Sequence, residues 1–413
     1  MVARVETIGM RYVAVADLKP APYNPRIMPA EEMEDLVRSM RVFGVVDPLI
    51  VRRVDLMVIG GHQRLEAAKR LGLSKVPVIE LDLSDEEARA LNIALNKIGG
   101  TWDVPKLAEL LKGLPQDLAQ LAGYDEEAMR RVAHEAQLAI DAARAELADD
   151  VIPEPPAEPI TRLGDLWILG PHRLLCGDST KAADVTRLMD GQRASLLATD
   201  PPYLVDYHGG NHPQSWHNDA EVKDKHWDDY TDPTSGVEFF DGYLRQGLAH
   251  CVPGVAIYQW FATKRHVIVE EAWTRNALLV HQELVWVKKR PVLTRCHFMW
   301  QYEPCLYGWV EGRPPTLRPP PNETTVWEVG QAGEQDGIHP TQKPVELFAR
   351  PIRWHTLEGE ICLEPFSGSG TQLVACERLG RRCYAMELAP AYTDVAVTRW
   401  EQLTGRKAER VTL

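Results

Sequence analysis

Residues 151–159 read Val-Ile-Pro-Glu-Pro-Pro-Ala-Glu-Pro, and no helix or sheet interior can run through them. The prolines fix φ and remove backbone donors, and the glutamates keep the segment in water. The chain is therefore expected to fold as separate bodies on either side of this linker. A chain of 413 residues leaves room for two or three domains. The expected division is a small α/β domain over 1–100, a helical connector over 101–150, the linker, and a larger α/β domain over 160–413.

Hydrophobic periodicity fills in each part. In the first, Tyr12–Val15, Leu49–Val51, Leu56–Ile59 and Val76–Ile79 read as strands. Residues 31–43 carry Met33, Leu36, Val37 and Met40 on one helical stripe, and Gly60-Gly61 opens a helix over 62–72. Residues 103–147 are mostly helical, with a break at Gly123. Residues 160–413 alternate apolar strands with helices, as a doubly wound sheet does.

The net charge of −13 speaks against a chain built for tight, non-specific phosphate binding. Its distribution leaves room for a local basic groove. Residues 1–100 hold 14 basic and 14 acidic side chains, residues 101–160 hold 5 and 13, and residues 161–413 hold 27 and 32. The seven cysteines form no Cys-x-x-Cys pair, which reads as reduced thiols in a cytosol. No run of apolar residues is long enough to cross a membrane, and no signal peptide is read at the N-terminus. His208, His212, His217 and His226 are spaced too irregularly for a metal site, so no metal is expected.

Two segments of the second half carry chemistry. Ser195–Thr199 is an apolar strand that runs into Asp200-Pro201-Pro202-Tyr203, a rigid loop where open α/β sheets bind ligands. A carboxylate and the Pro201 carbonyl can both accept hydrogens from one amino group. Such acceptors favour a pyramidal nitrogen and stabilise its developing positive charge as it attacks a methyl carbon. Tyr203 and Pro202 complete the loop, with the tyrosine ring available to stack on a base taken out of a duplex. The second segment is Ile361–Thr371, an apolar strand followed by Glu364-Pro365-Phe366-Ser367-Gly368-Ser369-Gly370-Thr371. Its glycines allow a tight turn and close approach to a ligand. The next strand ends in Glu387, a placement that suits a ribose diol.

Together these segments resemble the β class of DNA amino-methyltransferases, in which the catalytic loop precedes the cofactor motif. His339-Pro340-Thr341-Gln342-Lys343-Pro344 and Cys176-Gly177-Asp178-Ser179 add to the resemblance, which spans about residues 160–405. It implies a circularly permuted Rossmann-like fold, S-adenosylmethionine as cofactor and double-stranded DNA as substrate. It implies that Asp178 faces the adenine ring, that Phe366 and Gly368 line the methionine side, and that Glu387 takes the ribose. Thr341 and Lys343 would pack near the carboxylate. Asp200, Glu364, Pro365, Ser367, Gly370 and Thr371 complete the implied pocket. The Asp-first catalytic loop goes with adenine N6 in that family, and cytosine N4 is the alternative.

Lys288, Lys289, Arg290 and Arg295, interleaved with Trp286, His297 and Trp300, suit phosphate contact and base stacking. An amphipathic strand followed by a solvated loop is the competing reading. The family's target-recognition region corresponds to about residues 290–335, and 204–235 read as a loop beside the base.

In the first half, Gly60-Gly61-His62-Gln63-Arg64 starts a helix, and Asn24-Pro25-Arg26 offers a second arm. This segment resembles the N-terminal domain of ParB-type partition proteins, which hold CTP on a Gly-Glu-Arg-Arg-like box. Arg26, Gly60, Gly61, His62 and Arg64 are the residues that the resemblance assigns to CTP or another nucleotide. The acid and the first arginine of the box are missing, so hydrolysis is not implied. A nucleotide-gated DNA-binding clamp with a vestigial methyltransferase half is the alternative, and intact Asp200, Tyr203, Phe366 and Gly368 argue against it. Glutamine methyltransferases use an Asn-first loop that follows the cofactor motif, so the order here counts against them. The expected partners are DNA and a second copy of the chain, in a nucleoid-associated cytoplasmic setting.

Overall fold

The computed structural model describes residues 9–96, 101–142, 151–204, 236–292, 297–329 and 343–411. It contains two compact units, Met1–Gln137 and Leu138–Leu413.

The first unit comprises β1 (Met10–Ala14), β2 (Lys19–Pro20), β3 (Arg26–Ile27), α1 (Ala30–Phe43), β4 (Leu49–Arg52), β5 (Met57–Gly60), α2 (His62–Arg70), β6 (Lys75–Leu81), α3 (Asp85–Asn96), β7 (Thr101–Trp102), α4 (Val104–Lys112), α5 (Gln116–Leu121) and most of α6 (Glu126–Ala142). Its main sheet has the order β1-β6-β4-β5-β2. Met33, Val37 and Met40 of α1 are buried with Val13, Leu49, Val51, Val58, Leu65 and Val78. That is the stripe the helical period marks. A second core under α3 to α5 gathers Ile93, Leu107, Leu110 and Leu111. The periodicity had not marked α3. Its start is a capping box: Ser84 Oγ accepts the Glu87 N–H at 3.2 Å, and Glu87 accepts the Ser84 N–H at 2.8 Å.

The second unit comprises β8 (Leu166–Leu169), β9 (His172–Cys176), α7 (Ala182–Met189), β10 (Ala194–Thr199), α8 (Gly236–Ala249), β11 (Cys251–Trp260), α9 (His266–Arg275), β12 (Leu278–Val292), β13 (Trp300–Val310), β14 (Val326–Glu328), α10 (Val345–His355), β15 (Ile361–Glu364), α11 (Thr371–Leu379), β16 (Arg382–Glu387), α12 (Pro390–Thr404) and β17 (Glu409–Val411). These strands form one sheet in the order β14-β12-β13-β11-β10-β15-β16-β9-β8-β17. One face is covered by α7, α8 and α9 through Leu188, Phe240, Tyr243 and Trp273. The other is covered by α10, α11 and α12 through Ile352, Val374 and Trp400, packed on Tyr258, Trp260 and Trp286. The result is the three-layer α/β architecture that the alternating sequence predicts.

Residues 151–159 carry no helix or strand. Asp394 of α12 fixes the chain just beyond them by accepting the N–H of Ile160 at 2.7 Å and of Thr161 at 3.2 Å. The last turn of α6 belongs with the second unit. Leu138 packs on its core, and Asp141 pairs with Arg381 at 3.0 Å, both side chains fully buried. Among the described residues, no helix is long and apolar enough to cross a membrane.

Candidate active site

Four neighbouring strands, β10, β15, β16 and β9, run parallel, so their C-terminal ends line one edge of the sheet. Each delivers an acid there: Asp200 after β10, Glu364 at the end of β15, Glu387 at the end of β16, and Asp178 just after β9. From β10 the chain passes through α8 to β11 on one side, and from β15 through α11 to β16 on the other. The strand order thus reverses between Asp200 and Glu364, and open α/β sheets bind ligands at such a point.

The Asp200 carboxylate lies in a cluster of charged groups. Its Oδ1 accepts from Lys343 Nζ at 2.7 Å and from the Tyr203 hydroxyl at 2.9 Å. Lys343 Nζ also reaches Glu303 Oε2 at 2.9 Å and the Tyr203 hydroxyl at 2.8 Å. The far oxygen of Glu303 pairs with the Lys288 ammonium. Lys343 stands 5.2 Å from the ring centres of both Tyr203 and Trp260. Burial pushes the Asp200 carboxyl above the usual range, against the pull of the Lys343 ammonium. Burial also opposes ionisation of Glu303, but its two lysines prevail and hold it at about 2.

The glycine-rich turn follows β15. Glu364 is almost fully buried and accepts from the Thr199 hydroxyl at 2.7 Å and the Phe366 N–H at 3.0 Å, so it ties this turn to the end of β10. Burial drives its pKa well above the usual carboxylate value. Glu387 accepts the Gly368 N–H at 2.8 Å and the Ala389 N–H at 2.9 Å, which fixes its orientation. Phe366 meets Tyr243 edge-on at 4.8 Å and Phe239 at 5.5 Å, forming an aromatic wall. A Cβ on Gly368 would meet nothing within 4 Å, so the space above it is open. Asp178 accepts from the Thr180 N–H and hydroxyl at 2.9 and 2.7 Å. Those bonds and Lys181 hold it below the usual carboxylate range despite burial.

Residues 194–398 match the family model for DNA methylases, and residues 2–97 match that of the ParB N-terminal domain. The chain is a DNA methylase of the N6/N4 family. It carries a ParB N-terminal domain ahead of the methylase domain. It is 26% identical over 232 residues to the type II methyltransferase M2.DpnII of Streptococcus pneumoniae, covering 52% of this chain and 84% of that protein. Among solved structures, the M1.HpyAVI–SAM complex matches with a TM-score of 0.40 and 20% identity, over 55% of this chain and 98% of that one. The PvuII cytosine-N4-specific DNA methyltransferase matches with a TM-score of 0.42 and 13% identity, over 57% and 91%.

Other residues expected to serve the methylase fall in different places. Lys288 is a correction to the basic run 288–295. It is buried and paired with Glu303, and its ammonium stands 5.2 Å from the Trp286 ring, so it is not presented to a phosphate. Lys289 is exposed. Lys343, expected near a cofactor carboxylate, has its ammonium on Asp200, Tyr203 and Glu303 instead. The Arg290 and Arg26 side chains, Arg295, Thr341 and most of the 204–235 loop lie outside the described residues. Glu303 was not foreseen. A lone acid in the aromatic strand Trp300–Val310 is the signal that could have found it.

In the ParB domain, His62 Nε2 accepts the Ala21 N–H at 3.2 Å, and burial pushes the ring down to about 4. Arg64 pairs with the Asp47 carboxylate and donates to the Asp47 carbonyl at 2.8 Å. A Cβ on Gly60 would meet the end of the Leu95 side chain at 2.9 Å, so Leu95 would have to shift to admit it.

Proposed function

We propose that this DNA methylase transfers the methyl group of S-adenosylmethionine to the exocyclic amino nitrogen of a base extruded from double-stranded DNA, with adenine N6 as the target. What carries the reading is the position of Asp200 at the reversal of strand order, beside the open turn at Gly368 and the fixed carboxylate of Glu387. Phe366 and Gly368 would take the methionine side of the cofactor, Glu387 the ribose, and Asp178 the adenine end. The Asp200 carboxylate and the Pro201 carbonyl accept hydrogens from the base amino group. They stabilise the positive charge that grows on nitrogen as the N–CH3 bond forms and the S–CH3 bond breaks. Exposed Lys289 contributes to phosphate contact. The Asp-first loop favours adenine over cytosine.

Asp200→Ala is expected to retain cofactor binding in calorimetric titration and to lose methyl transfer by at least about a hundredfold. Transfer within about tenfold of wild type would remove Asp200 from this role. N4-methylcytosine in the product would retain the chemistry and reverse the base assignment.

A further inference from the structure

Behind Asp200 lies a row of buried charges that the methyl-transfer step itself does not use. Lys288, Glu303, Lys343 and Asp200 alternate in sign along one continuous chain of contacts. Lys343 and Lys288 are almost fully buried, with side chains 3% and 6% exposed. Burying two ammonium groups is costly unless carboxylates face them, and here each faces Glu303. Here the chain ends on the carboxylate assigned to the base amino group. The Lys343 ammonium occupies Oδ1 of that carboxylate and orients it through a short hydrogen bond.

We propose that Glu303, backed by Lys288, is a positioning residue for methyl transfer. It holds the Lys343 ammonium against Asp200 and so sets the orientation and charge of that carboxylate. The inference rests on the assignment of Asp200 made above. The other titratable groups facing the cluster are Tyr203, Glu364, Tyr243 and Cys305. Burial drives all four well above their ordinary values, and Tyr203, Tyr243 and Cys305, which ordinarily ionise only above neutral pH, stay neutral there.

The test is the pH dependence of single-turnover methylation of DNA by the full chain, for two variants of opposite charge effect. Glu303→Gln removes a negative charge, so Asp200 and Lys343 both lose protons at lower pH. Both limbs of the profile move down by at least about half a unit, and the maximal rate falls about tenfold or more. Lys288→Met removes a positive charge, so both limbs move up. Glu303→Asp keeps the charge and restores the wild-type limbs. A merely structural role would scale the profiles without shifting them. Unshifted limbs in both variants, or shifts of the same sign, overturn the inference while leaving Asp200 in its role. If Glu303→Gln does not fold, the upward shift in Lys288→Met decides alone. An active Asp200→Ala variant overturns both readings together.

Discussion

Asp200 takes its character from neighbours that are distant in sequence. Thr199 ties it through Glu364 to β15, and Lys343 reaches it from the start of α10. The Asp-Pro-Pro-Tyr loop was legible because its chemistry is local: a carboxylate and a rigid backbone within four residues. Glu303 was not, because β13 is brought to the site only by pairing with β11 and β12. Lys288 was half legible. It shares a strand face with buried Trp286, two residues away, and that alternation outweighs its charge. The two glycines of the turn share a left-handed backbone and differ in what a side chain would meet. Gly370 has φ +83° and a Cβ would meet Ala396 at 3.0 Å, whereas Gly368, at φ +51°, faces open space. Gly370→Ala is expected to lower the melting temperature, with backbone strain alone costing about 1–2 kcal/mol. Gly368→Ala carries the same backbone strain without the close contact, and it should in addition weaken cofactor binding, because its Cβ projects into the open space of the proposed pocket. Equal effects of the two on calorimetric binding and thermal unfolding would contradict this division. His62 gives a pH effect in the ParB domain. Its folded value of about 4 lies below its ordinary 6.5, so folding favours the neutral ring. That contribution is complete above pH 6.5 and is lost as pH falls towards 4. The protection factors of α2 and β5 amides against hydrogen exchange should therefore fall over this window in wild type, and fall less in His62→Gln.

At the scale of elements, helices with a strong apolar stripe were legible, and the parallel strands were legible as apolar runs that end in an acid. Helix α3 was not, since its signal is the Ser84–Glu87 capping box rather than a stripe. The end of α6 was also hidden. Asp141 looks like any acid in an acidic connector, yet it is fully buried against Arg381. Arg381 also donates to the Thr356 carbonyl at 3.0 Å and the Leu379 carbonyl at 2.6 Å, so it is committed to its place. Removing one partner of a buried pair leaves an unpaired charge and costs about 3–5 kcal/mol. Asp141→Ala should lower the melting temperature of the methylase unit by several degrees, and a fragment starting at residue 125 should outlast one starting at 160 under heating. Fragments of equal stability would show that the last turn of α6 contributes nothing.

For the whole molecule, the proline run pointed to a boundary at residues 151–159, whereas the two compact units divide ahead of it, between Gln137 and Leu138; the order of motifs pointed to the class of methylase that the second one resembles. A net charge of −13 constrained little, because ion pairing inside the chain hides which charges are free. Lys288 and Lys343 count towards a basic total, but both are spent internally. The ParB match gives the chain a second domain whose His62 and Arg64 already hold partners within it. Methyl transfer to a base amino group at Asp200 is the reaction on which the rest depends. It is tested most directly by mass spectrometry of nucleosides from the DNA of cells expressing either wild-type protein or Asp200→Ala. N6-methyladenine in the wild type and none above background in the variant is the predicted result. No modified base in the wild type, or equal modification with both proteins, would contradict the account.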